Sequence, residues 1–142
     1  MQEPVRYSLI MEIGGLPRMT NASGRPQHWA IKAKEKTAWK NAIALLVPFV
    51  KRPPAPISRA RLVLTRFSTV SPDSDGLVSG FKHVIDGLVD IRILKNDKVV
   101  NIGMPEYRWK KAKPNHGKIR IELYELDENT DMTRTISERI TE

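Results

Sequence analysis

The chain has 142 residues, the size of one ordinary domain, and no cysteine, so disulfides and thiolate metal sites are excluded. No apolar run approaches the roughly 20 residues needed to span a bilayer, and the start Met1-Gln2-Glu3-Pro4 leads into no signal-peptide pattern, so a cytoplasmic protein is expected. The formal net charge of +8 favours a polyanionic partner, of which nucleic acid is the commonest.

Alternation of Tyr7, Leu9 and Met11 predicts a strand from Val5 to Ile13, ended by Gly14-Gly15-Leu16-Pro17. Residues 16–28 read as a polar loop with Arg18, Asn21 and Arg25. A first helix follows from Trp29 to Val47, with Ile31, Ala38, Ala42, Leu45 and Leu46 at helical spacing and Trp39 and Ile43 flanking. Pro48 and then Pro53-Pro54-Ala55-Pro56 stop it. Ile57 to Ser68 reads as a strand with Leu62 and Leu64 on one face and Arg59 and Arg61 on the other.

A second helix is predicted from Asp75 to Asp90, with Leu77, Phe81, Val84, Ile85 and Leu88 as its apolar side. A short turn, Ile91 to Asn96, leads towards a strand from Val99 to Trp109 with an interruption at Gly103 or Pro105. A basic turn, Lys110 to Gly117, precedes a last strand, Lys118 to Leu126, in which Ile119, Ile121 and Leu123 alternate. The order β-α-β-α-β-β implies a single α/β (α+β) domain over residues 1–126, a mixed sheet with two main helices packed on it. Residues 127–142 read as a polar tail, frayed or weakly helical.

The cations are spread along the chain, in stretches from Arg18 to Lys40, Lys51 to Arg66 and Arg108 to Lys118. Acids gather between Asp73 and Asp97 and again in the tail. The most informative segment is Ser71-Pro72-Asp73-Ser74-Asp75-Gly76-Leu77. Two carboxylates two positions apart, at a strand-to-helix junction, can point into one space. Hard divalent cations take oxygen ligands, and magnesium uses few carboxylates plus water. Such an ion polarises a phosphodiester and activates water. The plainer reading is a helix cap, since Asp and Ser are ordinary N-cap residues. A calcium loop fails, because the further ligands and closing Glu are missing.

Helix geometry extends the site. With Asp75 at zero and ~100° per residue, Ser79 falls near ~40°, Lys82 near ~−20° and Asp86 near ~20°. The apolar residues lie on the other side, so an Asp-Lys-Asp stripe is left to face a phosphate or solvent. Lys82 and Asp86 are also spaced as an ordinary ion pair. Asp97, after Leu94-Lys95-Asn96, is a turn residue by itself. If the chain folds back there, Asp97 supplies a third carboxylate near Asp73.

The ordered set Asp73-Ser74-Asp75-Gly76-Leu77, Phe81-Lys82, Asp86-Gly87-Leu88 and Ile93-Leu94-Lys95-Asn96-Asp97 resembles the RusA family of Holliday junction resolvases, common in bacteria and their phages. The likeness extends more weakly to Gly117–Leu123 and to the Gly-Leu-Pro turn and Trp-bearing helix near the start. It implies a homodimeric, magnesium-dependent endodeoxyribonuclease, with manganese as a substitute metal, that makes paired incisions across four-way DNA junctions. It implies Asp73, Asp75 and Asp97 as metal-binding catalytic residues, Lys82 as the catalytic lysine and Asp86 in support. Gly76 stands where the family usually has Asn, Asn96 where it often has Asp, and Lys82 lies about one helical turn further from Asp75 than in shorter members. Arg18, Arg25, Arg108, Lys110, Lys111 and Lys113 are the candidates for gripping backbone phosphates. The rival readings are a non-catalytic nucleic-acid-binding or phage regulatory module and a nuclease acting on other branched DNA.

Overall fold

Period-two burial sets the first strand. In β1 (Ser8–Gly14) the side chains of Leu9, Met11 and Ile13 are buried while Ser8, Ile10 and Glu12 are exposed. The computed structural model describes residues 6–17, 29–49 and 51–132. Gly15, at φ 99°, turns the chain out of β1 in the left-handed region open to glycine, and its N–H donates to the Gly117 carbonyl at 2.9 Å. Leu16 then packs so closely on Gly117 that a Cβ there would stand 2.9 Å from its side chain.

Helix α1 (Trp29–Leu46) ends in a single 3-10 turn, Val47–Phe49. Its buried stripe is displaced from the predicted one. Ile43 is fully buried, with Trp39, Ala42, Leu46 and Val47 around it, whereas Leu45 is 72% exposed. The two stripes overlap in sequence, and the observed one takes the larger apolar area, Trp39 with Ile43 and Val47, to the core. The side chain of Ile31 lies outside the described residues.

Strand β2 (Ala60–Ser68) carries Leu62 and Leu64 into the core, and Val63 and Thr65 on its other face are also buried. Ile57 is not part of this strand. It forms an isolated parallel bridge with Leu94, with the Ile57 N–H donating to the Ile93 carbonyl and the Lys95 N–H to the Ile57 carbonyl.

The single helix predicted over 75–90 is instead two, α2 (Ser74–Gly80) and α3 (Lys82–Asp90). The break falls at Phe81, at φ −91° and ψ −1°, whose N–H turns back to the Val78 carbonyl in a tight 3-10-type bond. Gly80 immediately before it weakens the helix, and the fully buried Phe81 ring drags its backbone towards the core. The predicted apolar side of α3 is buried, with Val84, Ile85 and Leu88 facing inward.

The strand predicted over 99–109 is likewise split. Val99–Ile102 forms one helical turn, α4, and only Glu106–Lys111 forms β3. The divide falls at the anticipated residues. Gly103 sits at φ 60° and ψ −149°, closed to a side chain, and Pro105 has no N–H to donate. The last strand, β4 (Lys118–Glu125), alternates as predicted, with Ile119, Ile121 and Leu123 fully buried.

The sheet order is β1-β4-β2-β3. Strand β4 pairs antiparallel with β1 and β2, and β2 pairs parallel with β3, so the sheet is mixed. Register places Leu9, Leu123 and Leu62 in one row and Met11, Ile121 and Leu64 in the next. These rows form the core with α1 and α3, which pack on each other, while α2 lies on β3 and α4 on β2. The result is a single small α+β domain, as the order of elements implies. No helix among the described residues is long and apolar enough to cross a membrane. The first part of the predicted tail holds a buried side chain, Met132, and residues 133–142 lie outside the described residues.

Candidate functional site

The parallel pair β2–β3 needs a crossover, and α2, α3 and α4 are all in it. The chain leaves β2 at Ser68 and reaches α2 through Thr69 to Pro72. Asp73 is the N-cap of α2, in extended conformation, and its Oδ1 accepts from the Gly76 N–H at 2.6 Å. Its carbonyl accepts from the Leu77 N–H at 3.0 Å. The capping role engages Oδ1 and leaves Oδ2 outside that bond. Asp75 stands in the first turn of α2, exposed.

Beyond Phe81, α3 begins at Lys82 and carries Asp86 one turn later. After α3 the chain reverses through Arg92, a non-glycine residue at φ 65°, while the Ile93 and Leu94 N–H groups return to the Leu88 carbonyl. The bridge from Ile57 to Leu94 then fixes the reversal against the lead-in to β2. The chain thus folds back ahead of Asp97, and its anchor is the start of β2 rather than the Ser68 end that leads to Asp73. The Asn96 side-chain oxygen accepts from the Lys98 N–H at 2.9 Å, an Asx turn that sets the chain direction at Asp97.

These connections bring Lys82, Asp86 and Asp97 onto one cleft of about 290 Å³, with Ser79 from α2. Its apolar wall includes Ile85, Ile102 and Tyr107, and Val78, Val99 and Met104 form an exposed apolar rim. Under it the Phe81 and Tyr107 rings lie 6.1 Å apart and tilted, and burial pushes the Tyr107 hydroxyl above its ordinary value. The stripe drawn on one continuous helix thus keeps Ser79, Lys82 and Asp86 together. Asp73 and Asp75, on the far side of the break, are not among the residues lining this cleft. Among the described residues no three histidine or acidic side chains form one metal-holding group. Magnesium does not require one, because it commonly takes one or two carboxylates and completes its shell with water and substrate phosphate.

Of the predicted phosphate-gripping residues, Lys110, Lys111 and Lys113 are exposed on and just after β3. Arg108 is exposed too, but it pairs with Glu106 at 2.8 Å. Arg18 and Arg25 lie outside the described residues. The Trp109 side chain, next to the cations of β3, is held by an indole N–H donated to Ser68 Oγ at 2.9 Å. The basic end of β3 and the acidic start of α2 are tied to the same end of β2, since the Ala112 N–H also donates to the Ser68 carbonyl.

Sequence reasoning missed two carboxylate clamps. Glu106 receives both Arg61 and Arg108, and Glu12 receives both Lys118 and Arg120, at 2.8 to 3.1 Å. The signal for the first was present: Glu106 and Arg108 stand two apart on a strand, and so on one face. The partner across the sheet, Arg61, was not visible without the parallel register. No family model matches the chain, and no curated protein matches it.

Proposed function

We propose that the chain is a divalent-metal-dependent endonuclease of branched DNA, acting on the four-way junction and working as a homodimer inside the cell. The observation that carries this reading is the convergence of Lys82, Asp86 and Asp97 on one cleft, although Asp97 lies well beyond the helix that bears the other two. Residues of the same ordered set, Asp73 and Asp75, begin the crossover that leads to it. A lysine and two carboxylates in one apolar-walled cleft suit a phosphodiester better than a solvated helix face would require.

The donors available to magnesium are carboxylate oxygens, the hard ligands that such an ion takes. Asp97, with Asp86 in support beside it on the cleft, would hold it there, and Asp73 and Asp75 at the start of the crossover are the further ligands that the ordered set implies. When bound, it supplies a lowered pKa for water and charge neutralisation on the scissile phosphate. Lys82, an exposed ammonium on the cleft, stabilises the extra negative charge that develops on the phosphate oxygens. Lys110, Lys111, Lys113 and Arg108, with Arg18 and Arg25, hold the backbone of the arms without reading sequence. A dimer sets two such sites against two strands, and isologous pairing is the commonest symmetry for this.

One observation favours the non-catalytic alternative: the Asp73 carboxylate already serves as a helix cap. A synthetic four-way junction separates the two readings. The wild-type chain should cut it in magnesium, and Asp75→Asn and Asp97→Asn should each abolish cutting while binding in EDTA stays within about twofold. Cleavage at the wild-type rate by either variant sinks the metal-site reading, and binding without cleavage by the wild-type chain supports the alternative.

A further inference from the structure

All the described helices pack on one face of the sheet, and the register defines what the opposite face carries. On that face Arg61, Arg108, Lys110, Lys118 and Arg120 stand against Glu12, Glu106 and Glu122, an excess of cations among the described residues. The excess is concentrated at one end. There Phe67 on β2 is flanked by Lys110 on β3 and Lys118 on β4, and Thr65, the next residue on that face, is flanked by Arg108 and Arg120. Lys118 and Arg120 both lie 5.0 Å from the Phe67 ring centroid, and both are bonded to Glu12. Lys110 makes no ion pair among the described residues.

Strands lie ~4.8 Å apart and same-face residues ~7 Å apart along a strand, so these cations form a regular block rather than a pocket. Sharing one carboxylate between two cations holds their side chains in place and leaves each pair with a net positive charge. A block of ordered, repeated cations, exposed at Arg108 and Lys110 and half-exposed at Lys118 and Arg120, complements a polyanion with repeated charge, and a small acidic ligand would engage only a corner of it. Just beyond β3, in the β3–β4 turn, Lys113 is also exposed.

We propose that this end of the face opposite the described helices is a second DNA-binding surface, which holds the phosphate backbone of a junction arm while the cleft on the helical side engages the strand to be cut. The inference rests on the nuclease reading for its choice of polyanion. Its test is binding of a fluorescein-labelled four-way junction in EDTA, followed by anisotropy over a range of KCl concentrations.

Lys118→Gln with Arg120→Gln should weaken binding at least tenfold at moderate salt and lower the salt slope by about two, at ~0.9 for each phosphate that is no longer neutralised. Lys110→Gln, which breaks no described ion pair, should lower the slope by about one. The exchange Lys118→Arg with Arg120→Lys, which keeps both charges, should restore the slope. Lys34→Gln with Lys36→Gln removes the same charge from the exposed side of α1 and should leave the slope unchanged. An unchanged slope in the β4 and Lys110 variants, an equal loss in the α1 control, or no DNA binding by the wild-type chain overturns the proposal. Failure of the nuclease reading looks different: the wild-type chain binds the junction but does not cut it in magnesium.

Discussion

Glu106 and Glu12 show how single carboxylates organise a basic surface. Each titrates below the ordinary glutamate range. For Glu12 the cause is the hydrogen bond from Arg120, then that from Lys118. For Glu106 the largest single influence is burial, which pushes the carboxyl up, but the bonds and charges of Arg61 and Arg108 together outweigh it. A folded value below the unfolded one, about 4.3 for a free glutamate, stabilises the fold above that pH. The contribution is lost as pH falls through the folded value. Glu12→Gln with Glu106→Gln should therefore be less stable than wild type at neutral pH. Its urea midpoint should also fall less than that of the wild type between about pH 6 and pH 3. Parallel midpoint curves for the two chains would contradict this. At this scale the sequence was legible where chemistry is local. The Asp73 cap follows from its position before a helix, and the grouping of Lys82 with Asp86 follows from helical spacing. The clamps were hidden because their partners come from strands far apart in sequence.

Element boundaries were legible where a residue type forbids continuation. Gly103 and Pro105 mark the division between α4 and β3, and Gly15 ends β1. The division at Phe81 was not, because Gly80 weakens a helix without forbidding its continuation. It arises from tertiary packing, as a large ring is drawn to full burial beside Tyr107. Ser79, before the break, and Lys82 and Asp86, after it, still line one cleft. Packing of α3 on α1 depends on another residue of the same helix. A Cβ at Gly87 would meet Ile43 Cδ1 at 3.0 Å and the Lys40 Cα at 3.3 Å. The Lys40 atom is backbone and cannot swing aside. Gly87→Val should cost about 1–3 kcal/mol of unfolding free energy, read from the urea midpoint, through overpacking. It should also lower cleavage by shifting Lys82 and Asp86, which share its helix. A Gly87→Val chain as stable as wild type would mean that the two helices do not meet as described.

For the whole molecule, alternation and helical spacing made the α+β class readable, because each strand buries one face and each main helix one stripe. Strand order was not readable, since periodicity says which face is buried and nothing about which strand lies beside which. The sheet places the last strand of the chain, β4, between the first two, β1 and β2. Ser8 pairs with Tyr124 and Ala60 with Glu125, so both ladders of β4 join residues far apart in sequence. Such long-range pairing folds slowly. A nascent chain therefore holds two strands without their shared neighbour until β4 leaves the ribosome. During that interval both exposed edges invite pairing with other chains. Chains stalled before Lys118 should be digested by protease as readily as an unfolded polypeptide, whereas chains tethered by a long linker after Met132 should resist. Protection of the stalled chain would contradict a fold that closes from its last strand. The cleft that carries Lys82 and Asp97 would also form late, because the sheet beneath it is incomplete until translation has passed β4.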